Sequence, residues 1–286
     1  METRLKIALQ KSGRLSEKSL ELIRESGIHF NSNSRVLKEE AENFPIEFLY
    51  LRDDDIPSYV YDGVADIGIV GRNEHDEQNF PLDIIRDLGF AKCRLSIAVP
   101  LDFQYTDLKS LEGKRIATSY PTILQKALKE ANVQARIYEI SGSVEITPAI
   151  GVADAICDLV STGATLASNG LREVQSIYTS TAVMVGHPHL SDEKKSILNR
   201  LLLRLDAVMK AADYKYIMFN LPKEHLHEVA SIIGGMKSPT VTPLLDDDWV
   251  SVQTVVHEER FWDALEKLKA LQAQGILVTS IEKMAD

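Results

Sequence analysis

The sequence predicts an α/β protein with a separate small domain at its C-terminal end. Short apolar, strand-like runs alternate with amphipathic helical stretches from residue 4 to about residue 210. After that point the order of segments changes to strand–helix–strand–strand–helix–strand. Since 286 residues exceed what one hydrophobic core normally serves, two or three domains are expected.

The first third of the chain begins with a predicted strand over 4–10. Ser16 is expected to cap the helix that follows, and Gly27 to end it. Pro57 suits the first turn of a short helix that Asp55 would cap. The remaining elements of this third are that helix, over 55–63, and strands over 46–51 and 66–71.

The middle third begins with a predicted strand over 94–100. Pro121 is expected to start the helix that follows a strand over 114–119. A further buried run ends on an acid, Asp158. The other predicted elements are strands over 135–140, 173–179 and 182–186, a short helical piece at about 145–150, and a long helix from Ser191 to about Lys210.

The last 75 or so residues have a size within the usual range for a domain of their own. Their segment order, βαββαβ, predicts a ferredoxin-like unit. The predicted strands cover 215–222, 238–244, 249–257 and 275–282, and the predicted helices cover 223–234 and 258–272.

Composition excludes several classes of function. A net charge of −10 and a pI near 5.3 predict no general attraction to nucleic acid or to an anionic membrane. No apolar run approaches the ~18 residues of a membrane span or suggests a signal peptide, so a cytoplasmic location is expected for a bacterial protein. Cys93 and Cys157 lie in apolar contexts, which predicts buried free thiols rather than a disulfide or zinc site.

The run that ends at Asp158 leads into a loop of small and hydroxylated residues. Amide groups at a helix start, with the helix dipole, form an anion site, and Gly163 lets the backbone approach a ligand. Asp158 would then lie near a sugar attached to the bound phosphate. The alternative is that a loop hydroxyl simply caps a helix beginning near Ala164. The loop consists of Ser161, Thr162, Gly163, Ala164 and Thr165.

The spacing around this loop resembles the signature of the ATP phosphoribosyltransferase family. Six other segments are similar to the same family, and together they run nearly from one end of the chain to the other. The signature residues are Glu145, Gly151, Ala153, Asp154, Ile156, Asp158, Leu159, Thr162, Gly163, Thr165 and Leu166, and the other segments are 9–16, 52–71, 93–100, 113–121, 238–244 and 275–284.

The resemblance implies a two-lobed catalytic region like that of periplasmic binding proteins, followed by a regulatory domain. It also implies a reaction: phosphoribosyl passes from phosphoribosyl pyrophosphate to N1 of ATP, giving N1-(5-phosphoribosyl)-ATP and pyrophosphate. This is the first committed step of histidine biosynthesis. The implied divisions are lobe I over 1–93 plus 183–211, lobe II over 94–182, and the C-terminal domain over 212–286.

This chemistry needs aligned substrates and stabilisation of the charge that develops on pyrophosphate. No general base is evident in the sequence, which suits a nucleophile that attacks without first losing a proton. By resemblance, Lys11, Arg35 and Arg52 are the catalytic cations. The implied ATP contacts are Lys11, Gly13, Arg14, Arg52, Asp66 and Gly71.

The acids of the signature are candidates for the ribose hydroxyls and for a bound Mg²⁺. Asp154 and Asp158, four apart on a strand, would share one face, although Asp154 could instead end a turn. Magnesium would bind mostly through substrate oxygens and water. The implied phosphoribosyl pyrophosphate contacts are Glu145, Asp154, Asp158, Ser161, Thr162, Gly163, Ala164 and Thr165.

The family's long form carries a C-terminal domain that binds histidine and inhibits the enzyme. Asn220 stands where some relatives carry an acid, so the charge that would meet the ligand is absent here. The resemblance also implies dimers that associate into hexamers, with reciprocal coupling between histidine and substrate. Alternatively, the domain only assembles subunits. The implied histidine contacts are Asn220, Met236, Ser238, Thr240 and Gly275.

Two other readings remain open. A solute-binding or ligand-sensing protein of the periplasmic type would share the lobes, but it would not need Lys11, Arg52 and the phosphate loop together. A phosphoribosyltransferase with a different acceptor, or an inactive regulatory homologue, would share the loop. The histidine pairs 187/189 and 225/227 do not suggest a metal site, because no third ligand lies nearby in the sequence.

Overall fold

The structure, a computed structural model, describes residues 3–31, 36–233 and 238–285. Two compact units emerge from the contacts between residues. The first contains His29–Ile197 together with the chain up to Glu21, and the second contains Leu22–Ile28 and the chain from Leu198 onward. Within these ranges no helix combines the length and apolarity that crossing a bilayer would require.

The chain up to residue 212 contains eleven strands and six helices in the described ranges. The strands are β1 Leu5–Gln10, β2 Lys38–Glu40, β3 Ile46–Leu51, β4 Ile67–Gly71, β5 Asp83–Asp87, β6 Cys93–Pro100, β7 Arg115–Thr118, β8 Arg136–Glu139, β9 Ala155–Val160, β10 Leu171–Ser180 and β11 Ala182–Gly186. The helices are α1 Arg14–Glu25, α2 Ile56–Tyr61, α3 Arg72–Gln78, α4 Pro121–Glu130, α5 Ala164–Ser168 and α6 Asp192–Ala212.

Lobe I of the first unit is built on a six-stranded sheet in the order β2-β3-β1-β4-β11-β5. Strands β3, β1 and β4 run parallel, and β11 returns antiparallel to β4. The continuous apolar run Ile67–Gly71 suits a strand that is covered on both faces. Ala8, Ile56, Val60 and Val183 belong to one buried cluster of this lobe.

Lobe II is built on a five-stranded sheet in the order β10-β6-β9-β7-β8. Strands β9, β7 and β8 run parallel, while β6 lies antiparallel to both β9 and β10. Its main buried cluster includes Leu95, Ile97, Ile116, Leu124 and Cys157. The α/β architecture that the alternating pattern predicts is confirmed.

The parallel strands decide where a ligand can bind in the first unit. In lobe I, β1, β3 and β4 end at Gln10, Leu51 and Gly71. In lobe II, β7 and β9 end at Thr118 and Val160, side by side. Open α/β sheets bind ligands at the carboxyl ends of their parallel strands, so the loops after these strands form the candidate site.

The second unit contains a four-stranded antiparallel sheet in the order β13-β14-β12-β15. Its segments follow one another as βαββαβ, which confirms the predicted ferredoxin-like arrangement. Phe219, Val252 and Leu268 lie in its core. The elements are β12 Tyr214–Pro222, α7 Leu226–Ile232, β13 Thr240–Pro243, β14 Trp249–His257, α8 Phe261–Ala270 and β15 Gln274–Ser280.

Two predicted helix caps are wrong. Helix α1 begins at Arg14, so Ser16 lies buried inside its first turn rather than ahead of it. Asp55 does precede α2, but its side chain makes no capping hydrogen bond. The backbone of Asp55 is already helical, with φ −84° and ψ −23°, whereas a side-chain cap normally requires extended geometry.

Candidate active site

A cleft of about 600 Å³ opens between the two lobes of the first unit. Lobe I contributes residues that follow β3, including Arg52 and Asp53, and residues of α3. Lobe II contributes residues that follow β7 and β8, including Tyr120 and Ser141. The cleft therefore lies at the carboxyl ends of the parallel strands, where the topology predicts it.

Three cationic residues follow strand ends of lobe I, and Arg52 among them lines the cleft. The amide of Lys11 donates to the carbonyl of Leu51 at 2.8 Å, so Lys11 and Arg52 follow neighbouring strand ends. Gly13, with φ +101°, makes the turn from β1 into α1, and Arg14 comes directly after it. Lys11, Arg14 and Arg52 are exposed, and none of them forms an ion pair with another residue that the structure describes.

Asp66 lies away from these cations. It precedes β4, whereas the cleft lies beyond Gly71 at the other end of that strand, about 16 Å further on. Asp66 is 6% exposed, and its two oxygens accept from the Lys6 amide and the Lys194 ammonium, both at 2.8 Å. The structure thus gives Asp66 a structural role and does not group it with Lys11. Gly71 is the last residue of β4, at the carboxyl end of the parallel strands, and a side chain there would collide with Asn73.

The loop after β9 presents donors that have no partner in the described part of the chain. The N-cap residue of α5 is Gly163, with φ +80°, and no side chain caps this helix. The capping role considered for Ser161 or Thr162 is therefore wrong. The described residues also offer no acceptor to the amides of 162–165 or to the hydroxyls of Ser161, Thr162 and Thr165.

An ion pair that the sequence did not predict, between Arg94 and Glu173, contacts the start of this loop. Arg94 donates from Nε and Nη2 to the Glu173 carboxylate, both at 2.5 Å, and from Nη1 to the Ser161 carbonyl at 3.4 Å. Ser96 adds a hydrogen bond to Glu173 at 2.7 Å. Arg94 and Ser96 lie two apart on β6 and so share a face, but their partner on β10 is distant in sequence.

Asp158 and Glu145 form an acidic pair near the loop. The half-buried Asp158 carboxylate accepts from the Leu159 amide at 2.7 Å. Burial, and then the Glu145 carboxylate, raise the pKa of Asp158 above its ordinary value. Oxygen donors with uncompensated negative charge suit a hydroxyl group or a hard cation. No cluster of three or more metal-binding side chains occurs among the described residues.

Asp154 does not join this pair. Its carboxylate oxygens accept from Nη2 and Nε of Arg115 at 2.8 and 3.2 Å, and from the Arg115 amide at 2.9 Å. These hydrogen bonds with Arg115 lower the pKa of Asp154. Four residues of strand also separate it from Asp158 by about 13 Å. The structure therefore does not bring the two acids together, and a shared role for them stays a prediction.

A buried network joins the lobes at the base of the cleft. The Glu74 carboxylate accepts from the Tyr120 hydroxyl at 2.7 Å and from Asn73 Nδ2 at 2.9 Å. Asn73 Oδ1 in turn accepts from Ser180 at 2.7 Å. Burial raises the pKa of Glu74 to about 7, and the carboxylates of Asp53, Asp54 and Glu77 act in the same direction.

Glu77, one helical turn further along α3, reaches the start of α4. Its two oxygens accept from the amides of Thr122 and Ile123 at 2.7 and 3.0 Å. A carboxylate of lobe I therefore caps a helix of lobe II. The sequence offers no signal for this contact, because 45 residues separate the partners.

The residues predicted to bind histidine share a sheet in the second unit. Asn220 pairs with Ser251 and Thr240 with Gln253, so both lie on one face of the sheet. A side chain at Gly275 would lie 3.7 Å from the Asn220 amide nitrogen. Ser238 is exposed ahead of β13. Met236, like Arg35 of the predicted catalytic cations, lies outside the described residues.

Two family models match the chain. The model described as ATP phosphoribosyltransferase matches residues 52–207. The model described as the HisG C-terminal domain matches residues 211–283. The chain is also 55% identical over 284 residues to an ATP phosphoribosyltransferase of Cytophaga hutchinsonii, and the match covers 99% of both chains.

Solved structures agree with this assignment. A chain of the ATP phosphoribosyl transferase (HisG:HisZ) complex of Thermotoga maritima is 30% identical, with a TM-score of 0.59, over 71% of this chain and 98% of that one. A histidine kinase sensor domain with similarity to periplasmic binding proteins shares the fold alone, at 13% identity and a TM-score of 0.50 over 73% and 91%. The predicted two-lobed architecture is confirmed. The chain belongs to the ATP phosphoribosyltransferase family, in the long form that carries the C-terminal domain.

Proposed function

We propose that this chain transfers the phosphoribosyl group of phosphoribosyl pyrophosphate to N1 of ATP, as the first committed step of histidine biosynthesis in the cytoplasm. One observation carries the assignment of the site. The loop 161–165 keeps amides and hydroxyls without partners in the described residues, directly after a strand that carries Asp158. Such a set of donors suits a phosphate monoester.

In this proposal the loop binds the 5′-phosphate of the phosphoribosyl group. Asp158 and Glu145 accept hydrogen bonds from the ribose hydroxyls. Arg94 acts indirectly, since its hydrogen bond to the Ser161 carbonyl fixes the start of the loop while Glu173 holds the guanidinium. This arrangement aligns the anomeric carbon with the cleft, and alignment is a large part of the catalytic effect in such a two-substrate reaction.

The cations of lobe I bind the pyrophosphate groups. Lys11, Arg14 and Arg52 are exposed and unpaired within the described residues, so they are available to the ATP triphosphate and to departing pyrophosphate. Positive charge placed where negative charge develops lowers the barrier. Arg35 is proposed for the same task from the family resemblance.

The bond changes need no base from the protein. The lone pair on N1 of adenine forms the new bond to the anomeric carbon. The bond from that carbon to the pyrophosphate oxygen breaks, and pyrophosphate departs with the electron pair. The protein aligns the two substrates and stabilises the leaving group, so none of its side chains has to accept a proton for the transfer.

Magnesium is the implied metal. Asp158 and Glu145 fit it, because both are carboxylates and because burial, and then the charge of Glu145, raise the pKa of Asp158, a strain that a cation would relieve. Asp158 and Glu145 would hold Mg²⁺ on the protein side, and the ion would supply positive charge that offsets the charge of pyrophosphate. Asp154 is left out of this set, because Arg115 occupies its oxygens.

Regulation is proposed for the C-terminal domain over 212–286. Histidine would bind on the open sheet face at Asn220, Thr240 and Gly275, and the family resemblance adds Ser238 and Met236 to this set. The neutral Asn220 amide accepts a hydrogen bond but supplies no charge, so inhibition is expected to be weaker than with an acid there. Coupling to the catalytic lobes would pass through a dimer that associates into a hexamer. The lobe and domain divisions predicted from the sequence remain part of this proposal.

The test is to incubate the purified protein with ATP, phosphoribosyl pyrophosphate and Mg²⁺. N1-(5-phosphoribosyl)-ATP should form, inorganic pyrophosphatase should drive the reaction further, and added histidine should inhibit it. Product with another base but not with ATP would establish a different acceptor. Binding of a solute without turnover of any base would instead favour the receptor reading.

A further inference from the structure

Helix α3 belongs to lobe I, yet all three of its acidic side chains accept hydrogen bonds from lobe II. Glu74 accepts from Tyr120, as described above, and Asp76 accepts from the Tyr178 hydroxyl at 2.6 Å. Glu77 accepts from two backbone amides at the start of α4. The acids of this short helix therefore form a joint across the cleft.

The contact made by Glu77 replaces a cap that α4 lacks. The N-cap residue of α4 is Tyr120, whose side chain does not cap the helix. Pro121 has no amide hydrogen, so Thr122 and Ile123 carry the first unpaired donors of the helix. Both donate to the Glu77 carboxylate, and the negative charge also suits this end of the helix dipole.

The hydrogen bonds of Glu77 to α4 also depend on how far apart the two lobes lie across the cleft. Tyr120, Thr122 and Glu77 all line the cleft, so opening of the lobes would separate the carboxylate from both amides. Two helix donors and one carboxylate would then each need water as a partner. The contact therefore favours the closed arrangement of the lobes.

We propose that Glu77 is a positioning residue for phosphoribosyl transfer: by capping α4 across the cleft, it latches the two lobes at the spacing that binds both substrates. The kinetic part of this inference rests on the proposed function. Glu77 need not touch either substrate. Its effect is to raise the fraction of molecules whose lobes are ready to bind.

The test compares three variants with the wild type. Glu77→Ala removes the cap. Glu77→Gln keeps one acceptor oxygen but presents an amide NH₂ group to the second donor. Glu130→Gln is the matched control, because it removes the same charge from the exposed far end of α4 and leaves the cap intact.

Hydrogen exchange followed by mass spectrometry on substrate-free protein measures directly how well the amides of Thr122 and Ile123 are protected by Glu77. The segment that contains Thr122 and Ile123 should exchange several-fold faster in Glu77→Ala and to an intermediate degree in Glu77→Gln. Because apparent affinity falls with the fraction of competent molecules, KM for both substrates should rise about three- to tenfold, with kcat within about twofold of wild type. Glu130→Gln should match the wild type in every readout.

Unchanged exchange together with unchanged KM in Glu77→Gln would overturn the latch. A fall in kcat with KM and exchange both at wild-type values would also overturn it, because loss of folded protein alone gives that pattern. Should Glu77→Ala fail to fold, Glu77→Gln decides the question. If the wild type forms no product, the proposed function fails, and hydrogen exchange still tests the latch by itself.

Discussion

Two neighbouring strands of the lobe II sheet end at the same edge, and the loops that follow them differ in one respect. Beyond β7, the first free amides of α4 are bound by the Glu77 carboxylate. Beyond β9, the amides of 162–165 and the hydroxyls of the loop have no partner in the described residues. The strands are parallel and paired, so topology alone would favour either loop as an anion site.

If the proposed site is right, this difference directs an anion to one of two similar helix starts. One helix start is filled by the protein's own carboxylate, which excludes a phosphate by charge and by occupancy. The other is left to solvent, and water on exposed donors is readily replaced by a phosphate oxygen. The cost of leaving such donors without an internal partner is small at the surface, whereas it would be about 1–3 kcal/mol in the interior.

The largest expected effect comes from a change in the open loop. Gly163 has φ +80°, so Gly163→Val forces a β-branched residue into a conformation that costs about 1–2 kcal/mol or more and fills the approach to the phosphate. The KM for phosphoribosyl pyrophosphate should rise about tenfold or more, measured by steady-state kinetics. Gly113→Val is the control, since Gly113 also has positive φ but lies ahead of β7, away from the loop. Equal KM values for phosphoribosyl pyrophosphate in both variants would mean that the loop after β9 has no special part in binding it.

The next effect concerns Glu74, which contacts Tyr120 beside the helix start that Glu77 caps. Glu74 is protonated in the folded protein up to about pH 7, whereas the unfolded carboxyl has its ordinary pKa of 4.5. Between these values the folded state binds the extra proton, so stability falls as pH rises. Relative to Glu74→Gln, the wild type should lose on the order of 1–3 kcal/mol between pH 4.5 and pH 8. Urea unfolding of both proteins at several pH values measures their free energies of unfolding. A difference between these free energies that stays constant with pH would contradict the raised pKa of Glu74.

The smallest effect tests a single donor. Thr165→Val keeps the shape of the side chain and removes a hydroxyl that has no partner among the described residues. If that hydroxyl binds phosphate, its loss should weaken phosphoribosyl pyrophosphate binding by about 1 kcal/mol, or about fivefold, in isothermal titration calorimetry. Thr179→Val, at an exposed position of β10, should bind as the wild type does. Unaltered binding in Thr165→Val would exclude the hydroxyl from the site.

Local patterns predicted most of the fold. The strands predicted at 5–10 and 67–71 are observed and are largely buried, and the βαββαβ order of the last domain is observed as well. The predicted caps of two helices are wrong, because capping depends on backbone angles that the residue type favours but does not determine. Ser16 and Asp55 both suit a cap, yet one lies inside its helix and the other already has helical angles.

The sequence could single out a candidate loop where one segment acts alone. The loop beyond Asp158 has contiguous amides and hydroxyls, and the structure leaves them without partners in the described residues, while phosphate binding there stays a prediction. The pairs Asp154–Arg115 and Glu77–Thr122 could not, because they depend on which strands become neighbours and on how the lobes meet. For the same reason the sequence suggested a joint role for Asp154 and Asp158 without showing that Asp154 is paired with Arg115.

The central claim is that the loop after β9 binds the sugar phosphate. A crystal structure of the protein with phosphoribosyl pyrophosphate and Mg²⁺ tests it most directly. If the loop binds this group, the 5′-phosphate oxygens will lie about 3 Å from the amides of 162–165, and Glu77 will still accept from the start of α4. A phosphate found at the start of α4, or anywhere else with the loop after β9 empty, would contradict it.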